Sequence, residues 1–223
     1  MSFGKTLRLT LYGLRILPQL LIYRTLPASS RFHADLTRWI EVIDQAAAVE
    51  PGTRLWKFIE YFSRMPEFRS LFYYRAPRAR LFSLLSKPCP SLFIHTDDIG
   101  GGLFLQHGFS TIILAESIGA NCWINQQVTI GYSRAGERPT LGDHVTVTAG
   151  AKVLGAIHVG DHVTVGANAV VIKDVAPHCT VGGVPARVIR RNGVKVVADK
   201  KVLLDHAIVL LLFLTQSAAS FSF

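Results

Sequence analysis

A chain of 223 residues, 49% of them apolar, is long enough for one domain with an attached segment and has the material for a core. Three cysteines (Cys89, Cys122, Cys179) without a CxxC spacing argue against a disulfide framework or a zinc site. The formal charge of +9 is uneven, with 14 Lys/Arg against 6 Asp/Glu in residues 1–90 and 7 of each in residues 91–191, and no nucleic-acid-binding motif accompanies the pI near 9.8.

At the N-terminus Leu7, Leu11, Leu14, Leu17 and Leu21 recur at three or four places, with Arg8, Arg15 and Arg24 between them. Residues 5–26 therefore read as a basic, apolar segment that either lies in a membrane headgroup layer or packs on a partner subunit. Arg15 and Pro18 interrupt the apolar stretch, which does not read as a secretory leader, and the expected compartment is the cytoplasm, peripheral at the inner membrane face if the first alternative holds. Further helices are expected from Ser29-Ser30 through Leu36, Trp39, Ile40 and Ile43 to Ala47, ended by Glu50-Pro51-Gly52, then from a Thr53 cap towards Pro66. Others are expected over Glu67 to Tyr74 and Ala79 to Leu85. The aromatic residues from Trp56 to Tyr74 read as a helical core or interface.

From Ile118 to about Ala176 the period changes to six. Ile118, Ile124 and Ile130, and then Leu141, Val147, Val153, Val159, Val165 and Val171, are spaced by six. A second phase of small or apolar residues follows four places on, at Cys122, Val128, Val145, Ala151, Ile157, Val163, Ala169 and Val175. Gly119, Gly131, Gly142, Gly160 and Gly166 follow the lead residues. Six fits neither a helical stripe nor an alternating strand; it is the pattern of a parallel β-helix whose triangular coils take three hexapeptides each. Cys122 falls in the inward phase and reads as a buried thiol. Eleven residues separate Ile130 from Leu141, so Tyr132 to Thr140 must bulge from a coil.

The pattern resembles the hexapeptide-repeat acyltransferases, and within them serine acetyltransferases and the related O-acetyltransferases of surface-polysaccharide pathways. The likeness is carried by Ile94-His95, Ile99-Gly100, Leu105-Gln106-His107-Gly108, Val128-Thr129-Ile130-Gly131, Ala149-Gly150-Ala151-Lys152-Val153-Leu154-Gly155 and Gly183-Val184-Pro185-Ala186-Arg187-Val188-Ile189. The resemblance implies a left-handed β-helix over residues 91–191 behind a helical region (1–90), with a tail (192–223), in a homotrimer or a dimer of trimers. It implies an O-acetyltransferase that takes acetyl-CoA as co-substrate and passes the acetyl group to L-serine or a sugar hydroxyl, with no bound cofactor or metal. A catalytically silent β-helix scaffold and a metal-dependent β-helix enzyme are the alternatives.

Acetyl transfer to a hydroxyl needs a base, and His107 matches the family's catalytic histidine; an imidazole with a pKa near 6.5 suits the role. His95, Gln106, Arg134 and Arg138 are the candidate acceptor-binding residues. The small residues Ala149, Gly150, Ala151 and Ala167 give a pantetheine arm room against the backbone, and Lys152, Lys173, Arg187 and Arg190, with Arg191, offer charge to the CoA phosphates. His144, His158 and His162 fall at outward repeat positions, and His178 in a turn beyond the repeat. Three departures stand out. Phe93 replaces the acid of an Asp-Ile-His step that orients the catalytic imidazole, leaving Asp97 or Asp98 as stand-ins. Gln106 replaces the Asp that helps bind the serine amine. Arg138 stands where a His meets the substrate carboxylate. A milder departure, near the thioester channel, is Thr148, where many relatives have Gly. The excursion itself is expected to reach towards a neighbouring subunit. The apolar run Ala207 to Leu214 is too short to span a bilayer as a helix.

Overall fold

A computed structural model of the chain describes residues 3–45 and 51–196. The apolar run at 207–214 lies outside them. Five helices lead: α1 (Phe3–Arg15), α2 (Leu17–Thr25), α3 (Arg31–Asp44), α4 (Pro51–Arg64) and α5 (Pro66–Arg75). Ser30 caps α3 by accepting the His33 amide, and the helix ends at Asp44 with Gln45 left-handed, while the expected end at Ala47 lies outside the described residues. Helix α4 starts at Pro51 rather than at the expected Thr53 cap; Pro51 opens a helix rather than closing one because its missing N–H is spare in a first turn. Residues Pro77–Phe82 form a 3-10 turn instead of the helix expected over 79–85.

Behind the helices the chain winds through five coils. The first is β1 (Leu92–Ile94), β2 (Asp98–Ile99) and β3 (Phe104–Leu105); the second is β4 (Thr111–Ile113), β5 (Ser117–Ile118) and β6 (Trp123–Ile124). The third is β7 (Thr129–Gly131), β8 (Thr140–Leu141) and β9 (Thr146–Val147), and the fourth is β10 (Lys152–Leu154), β11 (His158–Val159) and β12 (Thr164–Val165). The fifth holds β13 (Val170–Val171), a bridge from Val175 to Val159, and β14 (Cys179–Gly182). Strands stack into three parallel sheets: β1-β4-β7-β10-β13, then β2-β5-β8-β11, then β3-β6-β9-β12-β14. The third sheet is finished by the antiparallel β15 (Arg187–Arg191) and β16 (Val194–Lys195).

All nine lead aliphatics from Ile118 to Val171 are buried, and so is the second phase except for the partly buried Ile157. Each such side chain removed from water contributes about 1.5–3 kcal/mol. Burial pushes the Cys122 thiol up to about 12, so it stays a protonated core residue. Glycine follows the leads where coils stack most closely: a Cβ on Gly119 would come within 2.5 Å of the Gly142 carbonyl carbon. A regular coil advances from Lys152 to Val170, whereas the third advances from Thr129 to Lys152, five residues more, which form the expected bulge.

The helical region closes the open end of the first coil. Trp39 donates its indole N–H to the Leu103 carbonyl at 3.0 Å and lies 4.8 Å from the Phe104 ring, which in turn meets Trp123 edge-on at 4.9 Å. Asp35 and Arg75 pair at 2.8 Å, and the pair reaches into the coil: Leu103 N–H donates to Asp35 at 2.8 Å, and Arg75 donates to the carbonyls of Ile99 and Gly100 at 2.7 and 2.6 Å. Burial holds the Asp35 carboxyl above the ordinary carboxylate value, against the pull of Arg75.

Candidate active site

The three sheets meet at three edges, and the edges sort the candidate residues. The edge joining the third sheet to the first carries Gln106 and His107 in the first coil, Asn125 and Gln126 in the second, Thr148, Ala149, Gly150 and Ala151 in the third, and Ala167 in the fourth. His107 and the small-residue column therefore share one edge. Lys152 opens the next strand beside this edge, and its ammonium donates back to the Gln127 carbonyl at 2.7 Å.

His107 is exposed with φ of 65° and is followed by Gly108 at φ of 58°. Left-handed backbone at two successive residues turns the chain sharply and puts the imidazole on the outside of the edge. Among the described residues the ring has no hydrogen-bonding partner. The corner also accounts for a misfit in the period: Leu105 and Ile113, both buried, are eight residues apart rather than six, so His107 and Gly108 are an insertion into the repeat. A Cβ on Gly108 would lie 2.9 Å from the Glu67 Cβ, so the corner presses against the start of α5.

Gln106 is fixed by Trp123, whose indole N–H donates to its Oε1 at 3.1 Å. An indole nitrogen only donates, so this bond sets the amide orientation and leaves the Gln106 NH₂ as the free end. In the next coil Asn125 Oδ1 and Gln126 Oε1 are buried acceptors without partners among the described residues. Thr148, by contrast, spends its hydroxyl on the Val165 carbonyl at 2.6 Å.

Other candidates lie elsewhere. His95, Arg134, Arg138 and Lys173 sit on the edge joining the first sheet to the second. His95 lines a cavity of about 600 Å³ with Arg31, Tyr74, Arg80 and Asp97, and its ring lies parallel to Phe93 at 6.2 Å. The stand-ins Asp97 and Asp98 share that edge, and Asp98 is paired with Arg31 at 2.9 Å. Neither is therefore beside the His107 of its own chain: β1 and β2 bound their corner, whereas β3 and β4 bound that of His107. Arg134 and Arg138 are exposed on the excursion, which is tied within itself by Ser133 donating to Glu137 at 2.9 Å. Arg187 and Arg190 stand exposed on β15 above the last coil.

His144, His162 and His178 are outward-facing, and stack face to face with ring centroids 4.7 and 4.8 Å apart. His178 thus belongs to the fifth coil, not to a turn past the repeat. His158 is exposed and meets the Thr140 hydroxyl at 2.9 Å. Among the described residues no group of three or more His, Cys, Asp or Glu is placed to hold a metal ion.

Sequence reasoning missed Glu67, Asn125 and Gln126. Glu67 lies forty residues before the corner it flanks, and nothing in the repeat points to it. Asn125 and Gln126 carried a usable signal, being two successive amides at a turn position of the same edge as His107.

No family model matches the chain. The serine acetyltransferase of Synechococcus elongatus is 46% identical to it over 122 residues, 52% of this chain and 50% of that protein. The structure of Neisseria gonorrhoeae serine acetyltransferase superposes with a TM-score of 0.59 at 26% identity, covering 84% of this chain and 79% of that one. The same enzyme in complex with serine gives a TM-score of 0.53 at 31% identity, over 70% and 66% of the two chains. The chain spans about half the length of the curated relatives it matches, 50% to 58%. It is thus a hexapeptide-repeat protein, similar to serine acetyltransferases in sequence over about half its length and in fold over most of it.

Proposed function

We propose that the chain is an acetyl-CoA-dependent O-acetyltransferase whose reaction runs along the edge between the third and first sheets. The observation that carries this reading is His107: an exposed imidazole, unpartnered among the described residues, on the same edge as two unsatisfied amide oxygens and a column of small residues. His107 removes the proton of the acceptor hydroxyl as its oxygen attacks the thioester carbonyl. Backbone N–H groups of the edge hold the resulting oxyanion. As the C–S bond breaks, the imidazolium returns its proton to the CoA sulfur. Asn125 Oδ1 and Gln126 Oε1 accept from amide or hydroxyl donors of the bound substrates. Ala149, Gly150 and Ala167 flank the pantetheine arm, with Lys152, Arg187 and Arg190 towards the phosphates, while Ala151 faces the core. Acetyl-CoA places the enzyme in the cytoplasm.

Glu67 is the carboxylate this reading assigns to orienting His107, supplied by α5 in place of the acid missing at Phe93. Glu67→Gln is expected to lower kcat with KM for acetyl-CoA held, and Glu67→Asp to recover part of the loss. An unchanged kcat in Glu67→Gln removes Glu67 from the mechanism.

Gln106 favours a sugar hydroxyl over serine. With its oxygen held by Trp123, it offers N–H donors, which suit a hydroxyl or carboxylate oxygen and oppose an ammonium. Arg134 and Arg138 lie on a different edge from His107, and a homotrimer in which one copy's excursion meets a neighbour's His107 edge brings them to the site. Thiol release from acetyl-CoA, measured with L-serine and with free and nucleotide-linked sugars, tests the acceptor. Turnover with sugars alone is expected, and Gln106→Asp shifts the preference towards serine. Efficient turnover of serine by the unaltered chain overturns the sugar assignment.

A further inference from the structure

The outward faces of α1 and α2 are unlike the rest of the surface. Leu7, Leu11, Leu14, Leu17 and Leu21 are each 50% to 65% exposed, while Leu9, Gln19 and Tyr23 of the same helices, and Ile16 between them, are buried. The two helices thus have an apolar face on each side, and only one is covered within this chain. The remaining long side chains between the outward leucines are Arg8, Arg15 and Arg24. None of the three forms an ion pair among the described residues, whereas the neighbouring Lys5 is held by Glu60 at 2.7 Å. The sequence holds no acid before Asp35, which is buried and committed to Arg75. The 3-10 turn against α2 adds Leu81, and the residues just after it Leu84, each 82% exposed, beside Arg78 and Arg80.

We propose that this face of α1 and α2 docks on an anionic lipid surface, the leucines entering the headgroup boundary and Arg8, Arg15 and Arg24 meeting lipid phosphates. Alternating leucine and arginine without acids is the composition of a helix that lies in an interface. Charge complementarity selects this occupant over a second copy of the chain. Two such faces packed on each other would bring arginines together with no carboxylate on either face to pair them. Lipid phosphates supply the missing negative charge, and the long arginine stems reach it while their carbons cover apolar surface. Among the described residues no helix is long and apolar enough to cross a membrane, so the contact is parallel to the surface. The inference stands apart from the acetyl-transfer reading, since no residue of the β-helix enters it.

The test is flotation of the full chain with vesicles of phosphatidylcholine alone and with about 30% phosphatidylglycerol added, at low and high salt. Binding to the anionic vesicles, weakened by salt, is expected. Each arginine near the surface strengthens partitioning about fivefold at low salt, so Arg8→Gln/Arg15→Gln/Arg24→Gln weakens it roughly a hundredfold. Leu11→Glu/Leu14→Glu abolishes it while leaving the circular dichroism spectrum and acetyl-CoA turnover unchanged. If that double variant fails to fold, the arginine variant decides alone. Equal binding to both vesicle types, no binding, or full binding by a folded variant overturns the proposal; the last outcome moves the contact to another part of the chain. A fall in oligomeric state of the leucine variant without vesicles also overturns it, because the face is then an interface between copies.

Discussion

The β-helix and the helical region bury apolar surface by opposite means. The β-helix repeats one small solution, a single aliphatic every six residues stacked on its counterpart a coil away, and its charges cancel. The helical region gathers a few large rings into a single cluster: Phe58 stacks on Tyr23 at 4.4 Å and on Phe62 at 5.1 Å and meets Phe32, Phe68 and Phe72 edge-on. Repetition divides stability over many equal nearest-neighbour contacts, whereas the ring cluster concentrates it in a few side chains.

That contrast is open to measurement. Phe58→Ala is expected to cost about 3–5 kcal/mol, since no neighbour can fill the space of a ring held on five sides. Urea unfolding followed by aromatic circular dichroism reads the loss, and a change below about 1 kcal/mol would mean that the cluster is not the keystone of its region. In the β-helix, Ile130→Val removes one methylene from the stack and is expected to cost about 0.5–1.5 kcal/mol, with the same small cost at Ile124. Very different costs at these two neighbouring leads would break the picture of equal coils.

The same contrast governs what could be read from the chain. Every lead from Ile118 to Val171 was legible because stacking forces the same residue class at a fixed spacing, and the bulge over Tyr132 to Thr140 was legible as a break in that spacing. The first coil was legible only through the family resemblance and not in the spacing, because the insertion of His107 and Gly108 stretches the step from Leu105 to Ile113 and hides the repeat. The start of α4 differs by two residues at Pro51, where backbone geometry rather than side-chain pattern decides. At the site, the motifs singled out His107 and the small-residue column as candidates. What the motifs could not give is adjacency: that Asp97 and Asp98 turn a different corner, that Trp123 fixes the Gln106 amide, and that Glu67 comes up against Gly108. The outward leucines of α1 and α2 showed in the sequence as a stripe, but only packing tells which of two apolar faces is left uncovered.

The central claim is that His107, on the edge between the third and first sheets, is the base for acetyl transfer. Its most direct test is the rate of thiol release from acetyl-CoA by His107→Ala with the acceptor that the unaltered chain uses, alongside acetyl-CoA binding. Turnover is expected to fall by about 100-fold or more with binding nearly intact, the usual contribution of a general base. Near-normal turnover would contradict the account and place the reaction elsewhere on the molecule.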